Sequence, residues 1–261
     1  MIRTVTNHAV ILDLDETCLH TFRKFSTLSE LGIMTDPKYL DLRERIYMLN
    51  IIDLYNKGDG STVQMWGIIR PGIVDFLRFC FTYFKIVAVW SAGVKKYVHA
   101  AVNFLFTKNK LPRPNIIFSR GECLNEGTVD NMILTKPIKT MIESSEYLKD
   151  LMKMDNTFII DDRIDYVKYN FQNAIIIPPY DPSPTIESMR NKDHALEKIM
   201  SWLLDPNVMF SKDVRKTKKD NIFSSPINKK PLNIKFDIFD VETLFLKKIR
   251  ERNIPKLIEV R

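Results

Sequence analysis

The sequence has few cysteines and no long run of apolar residues. Its three cysteines, Cys18, Cys80 and Cys123, fit neither a disulfide framework nor a metal-binding spacing. We therefore expect reduced and mostly buried thiols, as in a reducing compartment. No apolar run approaches the roughly 18 residues that cross a bilayer, which excludes a membrane-spanning helix.

The N-terminal segment also lacks the pattern of a signal peptide. Its short apolar stretch is interrupted by Asp13, Asp15 and Glu16, whereas a signal peptide has an uninterrupted apolar region. We therefore expect an intracellular protein of the nucleus or the cytoplasm that has no contact with a membrane.

Positive charge is concentrated near the C-terminus. Residues 206–261 contain 14 of the 39 Lys and Arg residues but only 7 of the 32 Asp and Glu residues, so the net charge of +7 belongs to this segment. The Lys-, Ser-, Asn- and Pro-rich stretch 211–232 predicts a linker, and residues 233–250 are amphipathic. We therefore expect a domain at 1–205, followed at 206–261 by a basic linker and an amphipathic extension. Contact between this tail and nucleic acid stays open, although no aromatic side chains interleave its basic cluster.

Four short apolar runs alternate with helical patterns along the expected domain. The runs are 8–15, 85–90, 156–160 and 174–177, and the helical patterns are 72–84, 93–106, 137–152 and 187–204. This alternation predicts an α/β fold with a mostly parallel sheet flanked by helices. The irregular segment 25–66 and the loop-rich segment 107–132 are expected to be small insertions, the first a candidate flap beside the site.

Polar side chains follow three of these runs. Asp13 and Asp15 end the first, Ser91 follows the second, and Asp161-Asp162 ends the third. Because ligands of open parallel sheets bind beyond the carboxyl ends of the strands, we expect these side chains to converge on one crevice.

The spacing of Asp13 and Asp15 suits phosphoryl transfer in two steps. One carboxylate can attack phosphorus, and the other can protonate the leaving oxygen and then deprotonate water. Phosphoryl oxygens and carboxylates repel each other, so a hard cation is required, and Mg²⁺ prefers oxygen ligands. Lys136 lies between this motif and the second acidic pair.

Several segments match one family in their order along the chain. They read DLDETCLH at 13–20, RPG at 70–72, VWSA at 89–92, FSR at 118–120 and IIDDR at 159–163. From about residue 8 to 204 the sequence resembles the haloacid dehalogenase superfamily, specifically its branch of RNA polymerase II C-terminal-domain phosphatases and NLI-interacting-factor-like phosphatases. The resemblance implies a Rossmann-like fold.

The resemblance also implies roles for individual residues. Asp13 is the expected nucleophile and a metal ligand, while Asp15 is the expected general acid and base, with its backbone carbonyl on Mg²⁺. Asp162 and Asp161 complete the expected metal site. The expected phosphate-binding residues are Thr17, Ser91, Ala92 and Lys136.

Three further residues, each close in sequence to one of these motifs, have more than one interpretation. Lys139 is an alternative to Lys136, because the sequence after Lys136 departs from the family pattern. Arg163 fits a phosphate contact and an ion pair equally well. His20 is expected to be a structural or surface histidine, since the mechanism already has an acid and base.

The substrate class implied by the resemblance is phosphoserine or phosphothreonine in protein, with the polymerase C-terminal domain as one candidate. Hydrolysis would pass through an aspartyl-phosphate. Two alternatives stay open: a phosphatase for small phosphate esters or nucleic-acid phosphate ends, and a non-catalytic module that binds phosphopeptides. The Ile-, Asn- and Lys-rich composition fits an AT-rich genome such as that of a large DNA virus.

Overall fold

The computed structural model describes residues 5–22 and 24–224 of the chain. Each of the four apolar runs singled out in the sequence corresponds to a strand of the structure. The strands are β1 (Ala9–Leu12), β2 (Leu19–Phe22), β3 (Ile46–Ile52), β4 (Thr62–Ile69), β5 (Ile86–Trp90), β6 (Ile116–Phe118), β7 (Leu124–Asn125), β8 (Leu134–Thr135), β9 (Thr157–Asp161) and β10 (Ala174–Ile176). The α-helices are α1 (Ser26–Glu30), α2 (Leu40–Arg43), α3 (Ile73–Tyr83), α4 (Lys95–Val102), α5 (Ile138–Glu143), α6 (Glu146–Leu151), α7 (Ile186–Arg190), α8 (Ala195–Leu203) and α9 (Pro206–Met209).

Five strands form a parallel sheet in the order β10-β9-β1-β5-β6. Strand β1 lies at its centre, and all four of its residues are fully buried. Val10 and Leu12 pack into a core that includes α3, α4 and α8, while Ala9 and Ile11 pack on the other face, which α5 and α6 cover. A strand that is covered on both faces is apolar at every position, which is why its sequence is a continuous run. The predicted α/β fold with a parallel sheet is confirmed.

Segment 25–66 contributes to a second sheet. Strands β2, β4 and β3 pair antiparallel in that order, and α1 and α2 lie between β2 and β3 along the chain. Trp66 is fully buried in a separate core, where its ring stacks on Phe22 with centroids 4.2 Å apart. This sheet lies between β1 and β5 in the chain, next to the sequence that carries Asp13 and Asp15.

The helix that follows the second sheet begins at a glycine. Gly72 precedes α3 with a φ of 74°, which is a left-handed conformation that side chains other than glycine rarely adopt. The sequence pattern at 72–84 therefore predicted α3 within one residue at each end.

Two long helical patterns are interrupted in the structure. The stretch 137–152 forms α5 and α6, which are separated by an extended Ser145 (φ −156°). The stretch 187–204 forms α7 and α8, separated by residues 191–194.

The loop-rich segment 107–132 contains a strand that the sequence did not predict, β6, at the edge of the parallel sheet.

The main core continues past the expected domain boundary at residue 205. Val208, Val214 and Ile222 are buried in it, and Val214 donates its backbone N–H to the Asp155 carbonyl at 2.8 Å. The expectation of a linker from 211 is therefore not met over 211–224, where burial of apolar side chains fixes the chain. The rest of the expected extension, residues 225–261, lies outside the described residues. Within the described ranges, no helix is long and apolar enough to cross a membrane.

Candidate active site

A tight turn directly after β1 carries the two aspartates of the first motif. The Asp13 N–H donates to the Ile160 carbonyl at 2.9 Å, which continues the pairing between β1 and β9. The turn closes through Cys18 N–H to the Leu14 carbonyl at 2.8 Å, and the Cys18 thiol lies 3.0 Å from the Asp13 carbonyl. Asp13 and Asp15 therefore project from a backbone that the sheet and the turn hold in place.

Lys136 lies between two buried carboxylates. Its ammonium contacts Asp13 Oδ1 and donates to Asp161 Oδ2 at 2.7 Å, and all three side chains are buried. The backbone of Lys136 follows β8 and donates to the Tyr166 carbonyl at 2.7 Å, while its own carbonyl accepts from Asn170 at 2.7 Å. Burial alone would lower the pKa of Lys136, but the two carboxylates outweigh it and raise the pKa, so the ammonium stays charged.

The alternative lysine lies elsewhere. The Lys139 side chain is largely exposed, and its ammonium pairs with Glu143 at 3.6 Å, one turn further along α5. Of the two lysines, Lys136 is the one that contacts Asp13.

Three carboxylates are close enough to share one cation. Asp13, Asp161 and Asp162 each offer an oxygen, and these oxygens lie within 4.8 Å of one another. The donors are hard oxygen ligands, as Mg²⁺ prefers, so the residues fit the expected ion. The Asp15 carboxylate is outside this group, and a contribution of the Asp15 backbone carbonyl to the metal site stays a prediction.

The Asp15 carboxylate has two hydroxyl partners. Ser91, which follows β5, lies 3.2 Å from Asp15 Oδ2, and Tyr97 on α4 donates to Oδ1. Ser91 Oγ also accepts from the Gly93 N–H at 2.9 Å. Burial, followed by the charge of Asp15, raises the pKa of Tyr97 well above its ordinary value, so the phenol remains a neutral donor.

Burial shapes the acidity of the carboxylates. It raises the pKa of Asp13, against the effect of Lys136, and it also raises the pKa of Asp15. Burial and the neighbouring Asp161 raise the pKa of Asp162 to about 6. A cation next to Asp13 and Asp162 would oppose these shifts, because it favours the ionised carboxylates.

An open pocket lies over these groups. It is lined by Asp13, Asp15, Glu16, Ala92, Gly93, Arg120, Asp162, Arg163 and Tyr166. Ala92 is thus at the pocket wall, while Ser91 and Lys136 are buried beside Asp15 and Asp13. Thr17 is also buried, and within the described part of the chain its hydroxyl has no hydrogen-bond partner.

The side chains of Arg163 and His20 are held by carboxylates. Arg163 pairs with Asp165 at 2.6 Å, as the ion-pair interpretation expects, and it also lines the pocket, where a phosphate contact stays a prediction. His20 Nδ1 lies 3.0 Å from Glu16 and 3.4 Å from Asp181, as expected of a structural histidine.

Sequence reasoning missed Tyr97 and Tyr166, and it did not assign a role to Arg120. Arg120 is directed by a hydrogen bond from its Nε to the Ala92 carbonyl at 2.8 Å. Tyr97 lies on α4, at a position where the apolar spacing of the helix already predicts a core aromatic residue. This spacing therefore gave no sign of a role in the site. Only its distance of six residues from Ser91 could have suggested a position near the crevice.

Comparisons with known proteins agree with this architecture. A family model for NLI interacting factor-like phosphatases matches residues 8–215, and this chain therefore belongs to that family, a branch of the haloacid dehalogenase superfamily. The resemblance found in the sequence is thereby confirmed. A search of curated proteins gave no match.

Two solved structures have a similar fold. The first is a variant of Fcp1, a fission yeast RNA polymerase II CTD phosphatase, bound to beryllium fluoride; it has 17% identity and a TM-score of 0.50, over 94% of this chain and 64% of that chain. The second is Fcp1, described as an essential RNA polymerase II CTD phosphatase, with 18% identity and a TM-score of 0.50, over 97% of this chain and 66% of that chain. This chain thus spans less than two thirds of either structure, and at these identities the likeness concerns the fold.

Proposed function

We propose that this protein is a Mg²⁺-dependent phosphatase that hydrolyses phosphoserine or phosphothreonine in protein through an aspartyl-phosphate at Asp13. The observation that carries the proposal is the group formed by Asp13, Lys136, Asp161 and Asp162 at the ends of β1 and β9. It combines a carboxylate that can attack phosphorus with a buried cation and a set of ligands for a second cation.

The first step transfers the phosphoryl group to the protein. The Asp13 carboxylate forms a bond to phosphorus while the bond from phosphorus to the serine or threonine oxygen breaks. Asp15 gives its proton to that oxygen, so the product leaves as a neutral alcohol. Asp13, Asp161 and Asp162 would hold Mg²⁺, with the Asp15 carbonyl, and the ion would neutralise phosphoryl charge.

The second step restores the enzyme. Asp15, now ionised, takes a proton from water, and the water oxygen displaces the Asp13 carboxylate from phosphorus. In both steps Lys136, which is fixed before the reaction begins, would stabilise charge that develops on phosphoryl oxygens. The hydroxyl of Ser91 would add to this when its proton turns from Asp15 to a phosphoryl oxygen. Ala92, which lines the pocket, and the buried Thr17 are further residues that we expect to bind the phosphate.

Two observations support a protein substrate. The pocket is open and has Arg120 and Arg163 at its wall, so it can admit a charged phosphoester on a longer chain. In addition, the chain shares its fold with structures described as RNA polymerase II CTD phosphatases. The polymerase C-terminal domain is therefore our candidate substrate.

The nucleus or the cytoplasm is our expected location for the protein. Contact of the basic tail with nucleic acid stays a prediction.

The test measures phosphate release from 4-nitrophenyl phosphate and from a phosphoserine peptide, with Mg²⁺ or with a chelator. We expect turnover by the wild type with Mg²⁺ only, and none by Asp13→Asn. Asp150→Asn is a matched control, because Asp150 is an exposed carboxylate on α6 and should leave turnover unchanged.

Other outcomes would contradict the proposal. Turnover by Asp13→Asn would exclude the aspartyl-phosphate. Turnover of nucleotides or of DNA with a 3′-phosphate, without turnover of the peptide, would favour the phosphatase for small esters or nucleic-acid ends. Phosphopeptide binding without any turnover by folded wild type would favour the binding module.

A further inference from the structure

The candidate acid is held by a residue of the helix that follows β5. The Tyr97 hydroxyl donates to Asp15 Oδ1, while Ser91 occupies Oδ2 at 3.2 Å. A carboxylate with a donor on each oxygen has a fixed rotation about its side-chain bonds. Tyr97 is 8% exposed, so little water competes for this bond.

Tyr97 is in turn held by the antiparallel sheet. Its oxygen lies 2.7 Å from Thr21 Oγ1 on β2, and that hydroxyl lies 2.5 Å from the hydroxyl of Tyr47 on β3. The Tyr47 side chain is almost fully buried. When Asp15 is ionised, the donations run in one direction, from Tyr47 to Thr21, from Thr21 to Tyr97, and from Tyr97 to Asp15. The hydroxyls of Thr21 and Tyr97 thus each accept one hydrogen bond and donate another.

We propose that Tyr97 is a positioning residue for the proton transfer by Asp15, and that the antiparallel sheet supports it through Thr21 and Tyr47. This inference rests on the proposed function, because it assigns how the acid of that reaction is aimed. It gives segment 25–66 a role as a support of the site. The nucleophile is not part of this chain of hydroxyls, since Asp13 contacts Lys136 instead.

The role has a kinetic signature that a purely structural role lacks. The value of kcat/KM covers the steps up to release of the leaving group, and proton donation matters there only when that group is a poor one. An alcohol needs the proton far more than 4-nitrophenolate does. If the Asp15 carboxyl is no longer held in its orientation, kcat/KM should therefore fall for phosphoserine and stay nearly unchanged for 4-nitrophenyl phosphate.

The experiment compares Tyr97→Phe, Thr21→Val and wild type on both substrates with Mg²⁺. Tyr97→Phe removes only the oxygen that contacts Asp15, and we expect kcat/KM for the phosphoserine peptide to fall by about tenfold to a hundredfold. Thr21→Val keeps the shape and does not touch Asp15, so it should give a smaller loss with the same preference for the peptide. Thr21→Val also keeps the test decisive if Tyr97→Phe fails to fold.

Tyr83→Phe is the matched control, because Tyr83 is another buried tyrosine whose hydroxyl donates at 2.6 Å to the Leu203 carbonyl, within the core. It should leave the ratio of the two kcat/KM values unchanged, even if it lowers the melting temperature. Equal losses on both substrates in Tyr97→Phe and Thr21→Val, or no loss on either, would overturn the positioning role while leaving the proposed function intact. A folded wild type without turnover would overturn both.

Discussion

Lys136 and Asp161 form an ion pair that is closed off from water, with Nζ donating to Oδ2 at 2.7 Å and side chains that are 1% and 0% exposed. The same ammonium contacts Asp13, so one cation faces two buried carboxylates. Taking charges out of water is costly unless they are paired. The negative charge of the two carboxylates is therefore compensated only while Lys136, or another cation bound beside them, is present.

Replacing Lys136 should destabilise the protein as well as inactivate it. We expect Lys136→Met to lower the free energy of unfolding by about 3–5 kcal/mol at neutral pH, because two buried carboxylates lose their partner. Denaturant titration measures this value, and Mg²⁺ should restore part of it if the three aspartates bind the ion. Since Lys136 opposes the raised pKa of Asp13, its loss raises that pKa further in the folded state, and the deficit should shrink as the pH is lowered.

Lys139→Met is the matched control for this prediction. It removes the same charge three residues away, from an exposed side chain, so we expect no measurable loss of stability or activity. A Lys136→Met protein as stable as Lys139→Met would show that the buried pairing contributes nothing to the fold.

Asp15→Asn should affect substrates according to their leaving groups. The amide cannot donate a proton in the way a carboxylic acid does, so we expect kcat/KM for a phosphoserine peptide to fall by roughly 10²–10⁴-fold. The value for 4-nitrophenyl phosphate should fall much less, since nitrophenolate leaves without a proton. Equal losses on the two substrates would argue against Asp15 as the acid.

Mg²⁺ binding should weaken in mildly acidic solution. The Asp162 pKa is raised to about 6 by burial and by Asp161, and a metal binds the ionised carboxylate. The Mg²⁺ affinity should therefore fall as the pH is lowered through 6, and calorimetric titrations between pH 7 and pH 5 would measure it. Asp162→Asn should bind more weakly and show a flatter dependence on pH; an unchanged slope would remove Asp162 from the site.

The same shift has a consequence for stability without Mg²⁺. The pKa of Asp162 is about 6 in the folded state, above its ordinary value of 3.8, so the folded protein binds this proton more tightly than the unfolded chain does. Ionisation thus opposes folding, and the contribution of Asp162 to stability falls as the pH rises from about 4 to 6. The stability of wild type relative to Asp162→Asn should decline over that interval.

The segment after residue 210 should be needed by the fold as far as residue 224. A chain that ends at residue 210 loses Val214 and Ile222 from the main core and the Ser211 carbonyl that lies 3.0 Å from His8 Nε2. Burying two such side chains contributes about 3–6 kcal/mol in total. We therefore expect this chain to melt at a lower temperature than one that ends at residue 224; equal melting temperatures would contradict the packing.

The parallel sheet and its crevice were predictable because their signals are local. Each of the buried strands β1, β5 and β9 is a short, mostly apolar run in the sequence. A polar residue of the site comes at the end of each run: Asp13, Ser91 and Asp161. Lys136 required the family resemblance, since no pattern around it distinguishes it from Lys139. Their difference arises from β8 and from Tyr166 and Asn170, which hold the Lys136 backbone.

Other features depend on contacts between distant segments. Tyr97 and Tyr47 are 50 residues apart in sequence, and each has the spacing of an ordinary core aromatic. Buried and exposed residues alternate in β3, but two of its three exposed residues, Met48 and Ile52, are apolar, so the sequence does not show this alternation. Residues 211–224 have a linker-like composition, yet the burial of Val214 and Ile222 fixes them to the core.

The two aspartates of the first motif are neighbours in sequence but are attached to different parts of the molecule. Asp13 is tied to Lys136, whereas Asp15 is tied to α4 and, through Thr21, to the antiparallel sheet. A substitution in that sheet would therefore reach the Asp15 carboxylate through Tyr97, while the contact of Asp13 with Lys136 stays as it is. The antiparallel sheet is thus linked by hydrogen bonds to one carboxylate of the motif, and the other carboxylate depends on the segment that carries Lys136.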